Sequence, residues 1–393
     1  MRHLLPALIA ALLAAPAAAA DPAATARAVL KAMPLIDGHN DLFIGFMDCR
    51  DCPRDFPAYD IGKRTSGDTD IPRWQAGMVG GTLLNVFGRD ASLKTTLDAY
   101  DLLYRLADAH NDRLAIAGSA AEVRRIFKSG RIALIPSLEN AKRLENDPAV
   151  LRMLHRLGLR AVTLAYKTND LADASDDAPK HNGLSLLGVT MVRAMNQAGV
   201  LVDLSHTAPA TMHDVLDIST APVIFSHSNA RALTDVERNV PDDVLRRLPK
   251  NGGLVMVAFV PYFTTPESAR WEAATAGESD AIGAAVAAKT LSEADADKRW
   301  AAFLAANPPP KVTIAHVADH IDHIRRIAGP DHIGIGSDFD GVSTKVTGLE
   351  DVSTFPALFT ELARRGWSEA DLAKLAGGNF LRVMEAAEAA AGK

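Results

Sequence analysis

VTMVRAMNQAGVLVDLSH, residues 189–206, decides the fold. Apolar residues recur at helical spacing from Val189 to Ala198. Gly199 breaks the pattern, and Val200–Leu204 is a short β-branched run ending in Ser205 and His206. A helical segment feeding a strand that is apolar on both faces is the unit of a parallel sheet, whose faces are covered by helices. The same unit recurs along the chain. Apolar runs stand at Pro34–Asp37, Gly81–Phe87, Ile132–Pro136, Ala161–Leu164, Val200–Leu204, Val223–Phe225, Leu254–Phe259 and His332–Gly336. Helix-period segments lie among them at Thr95–His110, Ala121–Lys128, Val150–Leu157, Val189–Ala198 and Val312–Ala328. Eight strands alternating with helices predict an α/β fold closed into a (β/α)8 TIM barrel.

Two stretches break the alternation, an irregular one at 46–77 and an alanine-rich, charged one at 261–311. Each follows the C-terminal end of a strand, the functional face of such barrels. They are expected to be insertions that wall or cover a pocket, with an oligomer contact as the alternative for the second.

The 393 residues carry 48% hydrophobic and 23% charged side chains and a net charge of −6, enough to bury a large core. No block of lysine and arginine is present, which removes the electrostatic case for nucleic acid. The chain opens with MRHLLPALIAALLAAPAAAADP. Arg2, the apolar run Leu4 to Leu13 and the small residues Ala18 to Ala20 follow the order of a cleaved signal peptide. The expectation is a leader over residues 1–20 and a single barrel domain over 21–393, delivered to a bacterial periplasm or outside the cell. No cysteine stands at the cleavage point, so no lipid anchor is expected there, and no membrane anchor is evident in the sequence. Cys49 and Cys52 lie in a stretch rich in Asp, Arg and Pro, where a small disulfide or an incidental pair outranks a redox motif.

The strand ends carry the chemistry. IDGHND places His39 and Asp41 two residues apart, a spacing that turns both side chains the same way on an extended strand. PSLEN puts Glu139 just past the third run, and VDLSH and VIFSHS put His206 and His227 at matching positions after the fifth and sixth. Each alone reads as a cap, a salt bridge or a satisfied core residue. Together they form a five-ligand set from four strands. GIGSDFDG adds Asp338 as a proton carrier, while Asp340 reads equally as a turn residue. Imidazoles with carboxylates suit two Zn2+, with Mn2+ or Co2+ as alternatives. Two such ions lower the pKa of a bridging water and polarise a carbonyl. His316, His320 and His323 share one helix face, but barrel helices lie away from the mouth, so a packing or solvated role is expected there and at His155.

The chain resembles the membrane (renal) dipeptidases of the amidohydrolase superfamily. The resemblance rests on IDGHNDL, TDIPRWQAGMVGGTLLNVF, NGLSLLGVTMVRAMNQAGVLVDLSHT, FSHSNARALTDVERNVPDDVLRRL, HIGIGSDFDG and GGNFLRVMEA, in that order. It implies a binuclear zinc site with His39 and Asp41 on one ion, His206 and His227 on the other, and Glu139 bridging. It implies hydrolysis of dipeptides, L,D pairs among them, with Asp338 moving the proton. Arg238 would anchor the substrate carboxylate with Asn239 beside it. The resemblance also admits a homodimer. The family's strand-four histidine is replaced by Tyr166 in TLAYKTND, which would have to serve at the scissile carbonyl instead. That departure keeps open a metal-dependent amidase, lactonase or esterase acting on something other than a dipeptide.

Overall fold

The computed structural model describes residues 21–48, 55–86 and 91–392. The leader at 1–20 and the Cys49–Cys52 pair lie outside them. Nine parallel strands form one sheet: β1 Leu35–Asn40, β2 Val79–Asn85, β3 Leu114–Ile116, β4 Ile132–Leu138, β5 Ala161–Thr163, β6 Leu201–Asp203, β7 Ile224–Phe225, β8 Leu254–Val257 and β9 Ile333–Ile335. Their order is β2-β1-β9-β8-β7-β6-β5-β4-β3, and β2 also pairs with β4, which closes an eight-stranded barrel. The eight expected runs are its staves.

The ninth strand was not expected. β4 pairs with β3 through Ile132–Leu134 and with β5 through Ser137 and Leu138. β3 therefore fills the lower part of the wall, where β4 has yet to reach β5. The eight staves are buried on both faces, while β3 is only partly so. Ile36, Leu83, Ile135, Ile224 and Met256 pack with Phe380, Leu381 and Met384 of the C-terminal helix Asn379–Ala390. Burying side chains of this size contributes about 1.5–3 kcal/mol each, so the barrel's stability lies away from its reactive rim.

The two breaks in the alternation, the irregular stretch and the alanine-rich one, both contain helices. Within 46–77, Ile71–Ala76 is a helix started by Asp70, whose carboxylate also binds Arg73. The loop before it is tied to the rim: the backbone NH of Asp68 donates to Asp340 and that of Asp340 donates to Asp68. Asp340 is thus the turn residue of the two readings. Within 261–311 lie two long helices, Pro266–Ala287 and Glu293–Ala306, joined by the Arg299–Glu278 ion pair. Both are capped by hydroxyls, Thr265 and Ser292. Their alanines favour helix without marking one apolar face, so periodicity gives no sign of them.

The three histidines of helix Ile314–Ala328 take separate jobs. His316 Nδ1 accepts from the NH of Thr313, and His323 Nε2 pairs with Asp242. His320 is buried; its Nδ1 accepts from the NH of Ala230, so its Nε2 carries the proton and donates to the carbonyl of Thr264 at 2.9 Å. Burial pushes the His320 pKa down to about 4. Its ordinary value is near 6.5, so between these limits the unfolded chain binds the extra proton and the folded chain does not. Stability is then complete above pH 6.5 and falls as the pH drops toward 4, by roughly 3 kcal/mol for this group. His320→Gln should flatten that part of the slope, read as urea midpoints at pH 7 and pH 4.5. Equal slopes in the two proteins would remove His320 from the acid response.

Candidate metal centre

All the expected ligands meet at the C-terminal rim. The side chains of His39, Asp41, Glu139, His227 and Asp338 are each less than a tenth exposed as whole residues. His206 Nε2 lies 2.9 Å from Glu139 Oε1 and 2.9 Å from His227 Nε2, and His227 Nε2 lies 3.5 Å from Glu139 Oε1. On the other side His39 Nε2 lies 3.4 Å from Asp41 Oδ2 and 4.0 Å from Asp338 Oδ1. The register explains why His206 and His227 match. Asp203 pairs with Ile224, and each histidine stands three residues beyond its paired position.

The donor set fits a metal. With metal–nitrogen distances of about 2.0–2.1 Å, neighbouring ligands of a tetrahedral ion lie roughly 3.3 Å apart. The separations among His206, His227 and Glu139 bracket that value. The ligand atoms of His39, Glu139 and His227 fall within 4.8 Å of one another, as do those of His39, Asp41 and Asp338. Space is kept beside them: a Cβ on Gly341 would come within 2.4 Å of Asp41 Oδ2 and 2.6 Å of Asp338 Oδ1.

Electrostatics point the same way. Burial lowers the pKa of His39, yet Asp41, Glu139 and Asp338 reverse this and bring it up to about 10. Burial raises Glu139, but His206 and His39 outweigh it and hold the carboxyl low. Burial raises Asp338 well above a normal carboxylate, opposed by His39 and reinforced by Asp41 and Glu139. A cluster of buried acids arranged around imidazole nitrogens calls for positive charge at its centre.

The backbone is bent to reach this arrangement. His206 has φ 65° and Asp338 φ 67°, left-handed values that L-residues rarely adopt and that cluster at functional sites. The rim ladder continues past the strands: the NH of Asp338 donates to the carbonyl of His39, and the NH of Asp41 to that of Phe339. These bonds set Asp338 beside the first ligand pair.

The family profile of the membrane dipeptidases (peptidase family M19) matches residues 23–393. The chain belongs to the membrane dipeptidase family. The dipeptidase verJ of Clonostachys rogersoniana is 37% identical over 94% of this chain and 88% of its own length. The dipeptidase tcpJ of Claviceps purpurea is 36% identical over 90% and 76%. Among solved structures, the probable dipeptidase PvdM of Pseudomonas aeruginosa superposes with a TM-score of 0.80 at 26% identity, over 94% of this chain and 99% of that one. A metallopeptidase of Rhodobacter sphaeroides, liganded with a phosphinate mimic of L-Ala-D-Ala, shares the fold at TM-score 0.73 and 23% identity, over 90% and 99%. Membership makes this chain a metal-dependent hydrolase of the dipeptidase class.

Around the centre of this M19 chain, some expected residues stand in unexpected settings. Arg238, which its sequence context alone marks as a surface residue, is buried. Its Nη2 donates to the carbonyl of His227 and its guanidinium lies 4.9 Å over the Phe263 ring. Its Nη1 is buried with no hydrogen-bond partner among the described residues. Tyr166 is 45% exposed at the mouth, its ring 4.6 Å from that of His206. Asn239, expected beside Arg238 at the substrate, has its side chain bound to the protein instead. Its amide donates to the carbonyls of Thr234 and Phe263 and accepts from the NH of Asn229. It holds the loop that presents Arg238.

Asn85, the last residue of β2, is a functional residue the sequence reading did not reach. Its Nδ2 donates to Asp41 Oδ1 at 2.8 Å and to Glu139 Oε2 at 3.1 Å, and its Oδ1 accepts from the NH of Glu139. One amide thus occupies the outer oxygen of two carboxylates and leaves Asp41 Oδ2 and Glu139 Oε1 facing the imidazoles. The only sequence signal was a polar residue inside an apolar run, LLNVF. Asn85→Ala should weaken metal binding about 10- to 100-fold, measured as retention during dialysis against a chelator. Unchanged retention would show that both carboxylates hold their places without it.

Proposed function

We propose that this chain is an exported dipeptidase that holds two zinc ions and hydrolyses the peptide bond of dipeptides. The observation that carries the reading is a two-sided ligand cluster with a buried, half-used guanidinium beside it. His39 and Asp41 would hold one ion, His206 and His227 the other, and Glu139 both. When bound, such a pair of ions lowers the pKa of water and polarises the scissile carbonyl.

The chain's own groups supply the rest. Arg238 offers its unpartnered Nη1 to the terminal carboxylate of the substrate, which would satisfy a buried cation that otherwise bears a desolvation penalty. Asn239 acts here as the residue that positions that loop. Asp338, whose carboxyl burial raises, is suited to take a proton from the attacking water and return it to the leaving amine. Burial raises the Tyr166 phenol too, with the charge of Glu139 adding to the effect, so Tyr166 stays a neutral donor able to face the developing oxyanion. Export is supported by the order of charged, apolar and small residues in the leader.

The test is a dipeptide panel on zinc-loaded protein, with L,D pairs such as L-Ala-D-Ala included. Turnover should exceed that of Glu139→Ala by orders of magnitude, and no excess would overturn the reading. Arg238→Ala should raise KM roughly 10- to 100-fold for substrates with a free terminal carboxylate, as expected for loss of a charge-assisted bond of about 1.5–3 kcal/mol. An equal rise for neutral esters would move the substrate to the lactone, ester or other amide class.

A further inference from the structure

We propose that Asp203 and Ser226 are positioning residues that fix the tautomer of His227 and so aim its Nε2 lone pair at the metal. This rests on the reading of His227 as a ligand and adds the device that makes it one. The side chain of Asp203 is buried at the end of β6, on the strand beside His227. Its Oδ1 accepts from the NH of Ser205 at 3.1 Å and from that of Ser226 at 2.8 Å. Its Oδ2 accepts from the hydroxyls of Thr163 and Ser226, the latter at 2.6 Å. Four donors converge on one carboxylate.

The direction of each hydrogen follows. Ser226 has a single hydroxyl proton, and the carboxylate takes it. The Ser226 oxygen, 2.7 Å from His227 Nδ1, is then left as an acceptor. His227 must place its proton on Nδ1 to meet it, and Nε2 becomes the lone pair that faces His206 and Glu139. A histidine whose outer nitrogen is bonded to a carboxylate is a common support for a metal ligand. Here a serine is interposed and relays the polarity of Asp203.

The relay makes an unusual demand of one substitution. In Asp203→Asn the side-chain oxygen must stay on the two backbone NH groups, so the new NH2 faces Ser226. The hydroxyl then accepts from it and donates to His227 Nδ1. The proton of His227 moves to Nε2, where it blocks coordination. Ser226→Ala removes the director without enforcing the wrong form.

The experiment is nitrogen-15 histidine NMR on the metal-free protein, together with zinc stoichiometry by equilibrium dialysis. The wild-type protein should show His227 protonated on Nδ1, and Asp203→Asn should show it on Nε2. Ser226→Ala should weaken one zinc site about 10- to 100-fold, while Asp203→Asn should lose that site and retain the one on His39 and Asp41. A wild-type His227 protonated on Nε2 would overturn the inference, whether or not the variants fold. So would an Asp203→Asn protein that keeps the Nδ1 form or binds both ions as tightly as wild type. Failure of the wild-type protein to bind zinc would instead strike the proposed function, since the tautomer is read without metal.

Discussion

Two buried aspartates bind their neighbouring strands through the same three kinds of bond, and the rim depends on them. Asp37 on β1 accepts from the backbone NH and the hydroxyl of Ser337 and from the NH of His39. Asp203 on β6 accepts from the backbone NH and the hydroxyl of Ser226 and from the NH of Ser205. A buried carboxylate is costly to leave unpaired, so each clamp holds two strand ends to a single relative height. Each clamped serine immediately precedes a reactive side chain, Asp338 in one case and His227 in the other. His227 and Asp338 therefore inherit their positions from hydrogen bonds one layer below them.

Asn85 completes that layer on the side of the barrel between the clamps, where two carboxylates must approach each other. The rim is thus a compromise between repulsion among buried acids and a small number of fixed donors. Hydrophobic packing lower in the barrel makes the compromise tolerable. Its apolar side chains hold the barrel closed, so the rim can carry strained backbone and unbalanced charge without having to stabilise the fold.

Much of this was legible in the sequence because parallel strands buried on both faces read as unbroken apolar runs. The eight staves were such runs, and His39, Asp41, Glu139, His206, His227 and Asp338 stood at or just past their ends. What was hidden had physical reasons. β3 spans only Leu114–Ile116, too short to show a period. The insert helices are alanine-rich without one apolar face. The burial of Arg238 and the roles of Asn85, Asp37 and Asp203 depend on neighbours 11 to 300 residues away in sequence, which no local pattern records. The same holds for Asn239: it follows Arg238 in the chain, but its amide donates to the carbonyls of Thr234 and Phe263, a direction that adjacency does not record.

The left-handed backbone at His206 and Asp338 has a consequence for moving this chemistry elsewhere. A designer who copied only the side chains onto another barrel would place them on ordinary strand ends, where those two groups point in other directions. The unit that can be transplanted is larger: strand end, reversed backbone, and the buried aspartate that binds the residue before it. Such a graft would carry a foldability cost from its first residue, because two non-glycine positions must be kept in a conformation that an isolated loop avoids.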